Sequence, residues 1–334
     1  MTPKVQVRAP GKINLALHVG PPRPDGYHPL ATLFQAVSLY EEVLAEAADD
    51  VTLTIHGRGA DLPTDATNLA VRAAQLLRET SGVERGVSLT LTKEVPVAGG
   101  MAGGSADAAA TLLACDQLWG TGLGREELAE LAGELGADVP FALTGLSAMG
   151  TGRGDLLTPV MSRGTYHWVL AVQAEGLSTP AVFREFDALR GFSPDGAARG
   201  GGVPGAHSGG GADVAGADSA GGAGEAPRVD PALLSALLSA DPLVLARHLS
   251  NDLQEPALEL RPELGDVLAA ADRAGALAAV VSGSGPTVAA LALDAPHAAS
   301  VAGVMRAAEV AGEILTVTGP VPGARVLEHV HGRR

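Results

Sequence analysis

The sequence predicts a protein of mixed helix and strand, with two domains, organised around one glycine-rich loop. Three observations carry that prediction. Val87-Ser88-Leu89-Thr90-Leu91-Thr92 alternates apolar and polar residues, as a half-buried strand does. The loop from Pro96 follows, with four glycines among residues 99 to 104. An alanine-rich run with strong helix propensity comes next. At 334 residues the chain is long enough for two substantial cores, and strand rhythm places the boundary near residue 158.

The order strand, glycine loop, helix has a physical use. Glycines let the backbone turn sharply and approach a ligand closely. Ser105 reads as the N-cap of the helix, with Asp107 in its first turn. The first N–H groups of a helix have no internal partner, so they are a ready site for phosphate oxygens. A plain glycine-rich turn explains the composition equally well. Two standard motifs are excluded. A Walker A loop needs Lys-Ser or Lys-Thr after its last glycine, and Gly104 is followed by Ser105-Ala106. The fingerprint Gly-x-Gly-x-x-Gly does not fit.

Composition narrows the class. The chain is 46% hydrophobic but only 3% aromatic, so its core rests on Ala, Val and Leu. No apolar run approaches the roughly 20 residues that span a bilayer, and the start has no signal-peptide core. The single cysteine, Cys115, permits no internal disulfide and reads as a small core residue of a cytoplasmic protein. A net charge of -15 argues against a nucleic-acid or membrane partner held by a broad basic surface. Anions must instead be bound locally, by backbone N–H groups, a few cations and a metal ion.

From the N-terminus, Val5 to Ala9 reads as a strand, broken by Ala9-Pro10-Gly11. A second strand, Lys12 to Val19, alternates so that Lys12, Asn14, Ala16 and His18 share a face. A proline-rich loop ends in Asp25-Gly26-Tyr27-His28. Residues 31 to 55 mix strand-like pieces with an acidic segment. Asn68 to Thr80 is an amphipathic helix, capped by Thr67 or Asn68 and ended by Gly82. After the central loop and helix, Arg125 to Leu135 is helical. Asp138 precedes Pro140 as an N-cap would, or stands as a carboxylate at a turn facing a cleft. Ser147 to Asp155 reads as a hairpin-like connection and Trp168 to Val172 as a buried strand. Residues 193 to 227 have no periodicity and few large apolar side chains, so they are expected to be a disordered insertion. Helices follow near 231–238, 242–249 and 263–274. A short strand at 278–281 enters the small-residue turn Ser282 to Thr287, and Val326 to Val330 closes the chain. Gly-x-Ser-x-Gly is not satisfied around Ser284, and no histidine pair has metal-ligand spacing.

Three separated stretches resemble one family. Pro10-Gly11-Lys12-Ile13-Asn14-Leu15 with Asp25-Gly26-Tyr27-His28 resembles the first motif of the GHMP-type small-molecule kinases. Pro96 to Ala109 resembles their phosphate loop, and Ser282 to Thr287 their third motif. Asp25 to His28, Leu135 to Phe141 and Ser178 to Phe183 narrow the match to the branch acting on a cytidine diphosphate-linked polyol. The match spans about residues 8 to 290, apart from the insertion. The usual loop reads Gly-Leu-Gly-Gly-Gly-Ser-Ser, so Ala102 and Ala106 replace a glycine and a serine.

The resemblance implies an α+β fold of two domains, a ribosomal-S5-like N-terminal half (1–157) and a ferredoxin-like C-terminal half (158–334), with the active site between them. It implies an ATP-dependent transfer to an alcohol, assisted by Mg²⁺. Asp138 would be the general base and Lys12 its electrostatic partner. Pro96, Val97, Ala98, Gly99, Gly100, Met101, Ala102, Gly103, Gly104, Ser105 and Ala106 would bind ATP, with Asn68 near its adenine or ribose and Ser105 a possible metal ligand. Tyr27 and Phe183 would stack on cytosine, His28 would bond its edge, and Asn14 and Thr179 would touch the rest of the acceptor. Rival readings are another kinase of the superfamily, a nucleotide sensor that does not turn over, and a dehydrogenase.

Overall fold

The computed structural model describes residues 2–192 and 226–330. The predicted insertion, apart from its last two residues, lies outside the described part. Chain order gives β1 (Lys4–Val19), β2 (Leu30–Ala48), β3 (Val51–Gly57), α1 (Leu69–Ser81), β4 (Gly86–Lys93), α2 (Gly103–Trp119), α3 (Arg125–Leu135) and α4 (Val139–Thr144). There follow β5 (Ser147–Gly152), β6 (Leu156–Pro159), β7 (Tyr166–Val172), α5 (Thr179–Arg190), α6 (Pro231–Ser239), α7 (Pro242–Ala246) and β8 (Ser250–Asn251). The chain ends with α8 (Gln254–Leu260), α9 (Glu263–Arg273), β9 (Ala278–Val281), β10 (Val288–Ala292), α10 (Ala295–Ala307), β11 (Glu313–Gly319) and β12 (Arg325–Val330).

The strands form two sheets. The larger runs β12-β1-β2-β4-β3, with β5 and β6 continuing from β2 and β8 beside β1. One part of it packs on α1 to α4 around Val43, Leu89 and Leu112. The C-terminal sheet runs β11-β7-β10-β9, all antiparallel. With α5 to α9 between β7 and β9 and α10 between β10 and β11, it has the ferredoxin-like order. Strand alternation buries both of its faces. Trp168 and Leu170 point toward Ile13, Leu15 and Leu33 of the larger sheet, while Val169 and Ala171 point toward α5, α9 and α10. The Trp168 indole N–H donates to Gln35 Oε1 at 2.9 Å and ties the two sheets together. The closing strand β12 pairs with β1, so the chain's end returns to the N-terminal sheet. Among the described residues no helix is long and apolar enough to cross a membrane.

Two local readings are corrected. The expected break at Ala9-Pro10-Gly11 is a bulge within one continuous strand, with the register shifting between Pro10 and Lys12. A bulge bends the strand and re-aims the side chains after it without ending the pairing. A second shift lies between Asn14 and Ala16. It removes the shared face expected for Lys12, Asn14, Ala16 and His18. Lys12, Asn14 and Leu17 line the central cleft, Ala16 is core, and His18 pairs with Asp252.

Candidate active site

Between β1, the loop 94–102, the turn that leads into α4, α5 and the turn 282–287 lies a cleft of about 1090 Å³. The loop is shaped by its backbone. Ala98, Gly100 and Ala102 have φ of 51°, 73° and 59°. Position 100 admits only glycine, because a Cβ there would stand 2.2 Å from the Ser282 carbonyl oxygen. The phosphate-loop and third-motif segments are therefore in backbone contact. The Ser282 hydroxyl also donates to Gly100 O at 3.3 Å.

The helix start departs from expectation. α2 begins at Gly103 with Ala102, in the left-handed conformation, as its N-cap and no side-chain cap. Ser105 is its third residue. Backbone conformation, rather than a hydroxyl, starts this helix. Left-handed geometry costs a non-glycine residue about 1–2 kcal/mol. Glycine carries an opposing cost of about 0.4–1 kcal/mol through the unfolded chain. Ala102→Gly is expected to stabilise the protein by about 0.5–1 kcal/mol and to raise Tm by about 1–3 °C in calorimetry. A lowered Tm would show that Ala102 is not strained.

The Lys12 N–H donates to Met101 O at 3.1 Å. The Lys12 ammonium donates to Gly100 O at 2.9 Å and to Asn14 Oδ1 at 2.8 Å. Asn14 Nδ2 donates in turn to the Thr32 hydroxyl at 2.8 Å, so its amide is locked. Burial pulls the Lys12 ammonium below its ordinary pKa, and the charge of Asp138 opposes that shift. Asp138 precedes α4 as its N-cap residue, but its carboxylate accepts no cap hydrogen bond. It lines the cleft instead.

Most of the predicted residues share this one cleft. Lys12, Asn14, Asn68, Asp138, the backbone from Pro96 to Gly100 and from Ala102 to Gly104, and the acceptor set Tyr27, His28, Thr179 and Phe183 all line it. Ser105 does not line it, and Met101 and Ala106 are core side chains. Asn68 caps α1 through Ala70 N and donates to Pro63 O, both within 2.9 Å. Tyr27, 51% exposed, lies under the Arg153 guanidinium, 3.6 Å from its ring centre. Phe183 packs 5.1 Å from the His28 ring. Both nitrogens of His28 are engaged, Nδ1 with Gly20 O at 2.8 Å and Nε2 with Asp187 at 3.3 Å. An edge contact from Nε2 to a base would replace the Asp187 contact. Thr179 and Ser284 share a hydroxyl hydrogen bond of 2.8 Å.

Sequence reasoning missed Lys93, Asp107, Arg153 and Arg184, which also line the cleft. Arg153 had a signal, since it sits in the second glycine cluster; Lys93 and Asp107 looked like ordinary strand and helix charges. Lys93 instead lies buried between Glu41 and Asp107. Burial pushes the Glu41 carboxyl up to about 8, helped by the nearby Asp107 charge and opposed by Lys93 and by the Glu94 N–H. Burial raises Asp107 as well. A carboxyl whose native pKa exceeds its unfolded value binds its proton more tightly when folded. Its stabilising contribution is complete below about pH 4.5 and is lost as the pH rises through about 8. The Tm of the wild type is expected to fall between pH 5 and pH 8.5, and that slope should flatten in Glu41→Gln. An unchanged slope would assign the pH dependence to other groups.

Comparison with known proteins agrees with this geometry. The family described as GHMP kinases N terminal domain matches residues 68–146, and GHMP kinases C terminal matches 233–311. Fold and site thus define a small-molecule phosphotransferase of the GHMP class, whose members use ATP. Relatives named 4-diphosphocytidyl-2-C-methyl-D-erythritol kinase come from Leifsonia xyli subsp. xyli, 52% identical over 97% of this chain and 98% of that protein, and from Streptomyces coelicolor, 50% identical over 97% and 99%. A crystal structure of 4-(cytidine 5'-diphospho)-2C-methyl-D-erythritol kinase is 31% identical, with TM-score 0.70 over 94% of this chain and 98% of that one. Mevalonate kinase from L. major, 17% identical with TM-score 0.68 over 93% and 94%, shares the fold. The chain belongs to the 4-diphosphocytidyl-2-C-methyl-D-erythritol kinase family.

Proposed function

We propose that the chain transfers the γ-phosphate of ATP to the 2-hydroxyl of 4-diphosphocytidyl-2-C-methyl-D-erythritol, in the methylerythritol phosphate route to isoprenoid precursors. The observation that carries the chemistry is Lys12, held at the phosphate loop, with the charge of Asp138 acting on it from the same cleft. An alcohol is a poor nucleophile at neutral pH, and a carboxylate against it takes the proton as attack proceeds. Asp138 has that carboxylate uncommitted to its helix. The new oxygen–phosphorus bond forms as the bond to the β-phosphate breaks, and ADP leaves. Lys12, fixed by Gly100 O and Asn14, stabilises charge on the transferring group. The backbone of Gly99 to Gly104 and the start of α2 hold the phosphates, so positioning and electrostatics supply most of the catalysis.

Carried in with ATP, Mg²⁺ would neutralise phosphate charge. Among the described residues no group of three or more His, Cys, Asp or Glu could hold a metal ion. Ser105 is not placed to line the cleft.

Acceptor choice rests on Tyr27 and Phe183, two of the chain's few aromatics, at the wall of the same cleft. Their flat faces suit a pyrimidine base, His28 beside Phe183 suits the base edge, and Asn14 and Thr179 are left for the polar remainder. A panel of acceptors tests this reading. Phosphorylation of 4-diphosphocytidyl-2-C-methyl-D-erythritol should exceed that of homoserine or mevalonate by at least a hundredfold in kcat/KM. Preference for either of the others would reassign the acceptor and leave the kinase chemistry standing. ATP binding without turnover on any acceptor would favour the sensor.

A further inference from the structure

Lys93 is the last residue of β4, immediately before the glycine loop, and Asp107 stands five residues into α2, just after it. The Lys93 ammonium donates to Asp107 Oδ2 and, at 3.0 Å, to Glu41 Oε1. The other oxygen of Glu41 accepts the Glu94 N–H at 3.0 Å. None of the three residues is more than 4% exposed. The loop therefore leaves and returns at one buried ammonium.

The cluster also touches the surface read as the phosphate site. A Cβ on Gly103, the first residue of α2, would stand 2.9 Å from Glu41 Oε1. Glu41 thus packs against the start of α2, where Gly103 and Gly104 line the cleft. Lys93 and Asp107 both line that cleft, and Asp107 Oδ1 is buried without a hydrogen-bond partner.

Stability alone is a poor reason for such a cluster. Well-packed apolar residues of similar volume often serve a core as well as a buried ion group, because desolvation offsets the attraction. What the charges do supply is fixed geometry. The loop between them holds Ala98 and Ala102 in left-handed conformations that L-residues leave unless their surroundings hold them.

We propose that Lys93, with Glu41 and Asp107, is a positioning residue for the nucleotide: the buried cluster locks both ends of the phosphate loop in the conformation that receives ATP. This rests on reading the loop as the ATP site. Lys93 acts through the loop backbone and is not itself a catalytic group.

The test is the triple variant Lys93→Met, Glu41→Gln, Asp107→Asn, which removes every charge together and strands none. Folding is checked by Tm, and KM is measured separately for ATP and for the acceptor. The lock predicts KM for ATP raised at least tenfold, with KM for the acceptor and kcat at saturating ATP within about threefold of wild type. A folded triple variant with wild-type KM for ATP, or with both KM values raised alike, overturns it. If the triple variant does not fold, Asp107→Asn alone carries the same test, with KM for ATP raised at least threefold and acceptor KM unchanged; an unchanged KM for ATP there overturns the lock. Failure of the underlying reading looks different, because the wild type itself would then show no saturable dependence on ATP.

Discussion

Asp138→Asn is expected to lower kcat by about 10²–10⁴-fold, the range that a positioned base contributes. The amide keeps the size of the carboxylate but cannot take the proton of the attacking hydroxyl. Asp138 caps no N–H of α4, so losing its charge removes no helix cap. The variant should keep its Tm within a few degrees and still bind ATP. Single-turnover kinetics with ATP saturating separate the chemical step from binding. Retained kcat would remove Asp138 from the mechanism, while a collapsed Tm would assign it a structural role.

Lys12→Met is the second large effect. Its ammonium holds Gly100 O and Asn14 and sits within the field of Asp138. Removing one preorganised charge that stabilises a transition state costs about 10²–10³-fold in kcat. Here the loss should also raise KM for ATP, because Gly100 O loses a donor and the loop loses an anchor. The two variants therefore differ in kind. Asp138→Asn should act on kcat alone, whereas Lys12→Met should act on kcat and on KM for ATP. Equal KM values in wild type and Lys12→Met would show that the loop is held without the ammonium. Asn14 stands in the same chain of contacts, through its bond to Thr32.

Much of this site was legible in the sequence, where signals were local. Asn68 and Gly82 bracket α1 as read, because both act through their own backbone neighbours: Asn68 accepts from Ala70 N, and Gly82 takes the left-handed conformation. The glycine loop and the turn at 282–287 were visible as composition, but their contact through Gly100 and Ser282 is tertiary. Pro10-Gly11 does punctuate the chain, yet long pairing with β2 carries the strand across it as a bulge. Sequence alternation then loses its phase at the second bulge, and His18 leaves the face assigned to it. Ser105 reads as a cap because its hydroxyl suits one, but the left-handed backbone of Ala102 starts the helix three residues earlier. Lys93, Glu41 and Asp107 were invisible for another reason. Asp107 reads only as a charge at the start of its helix and Glu41 as part of an acidic segment, and only the sheet brings Glu41, 52 positions away, to Lys93. Residues 288–319 are alanine-rich and offer little contrast, so β10, α10 and β11 emerge only in three dimensions.

Wild-type protein is incubated with ATP, Mg²⁺ and 4-diphosphocytidyl-2-C-methyl-D-erythritol, and the product is followed by phosphorus NMR. The expected products are ADP and one new phosphomonoester on the 2-hydroxyl, in equal amounts, with the cytidine diphosphate link intact. ATP consumed without that monoester, or a phosphate placed on another hydroxyl, would contradict the proposed function.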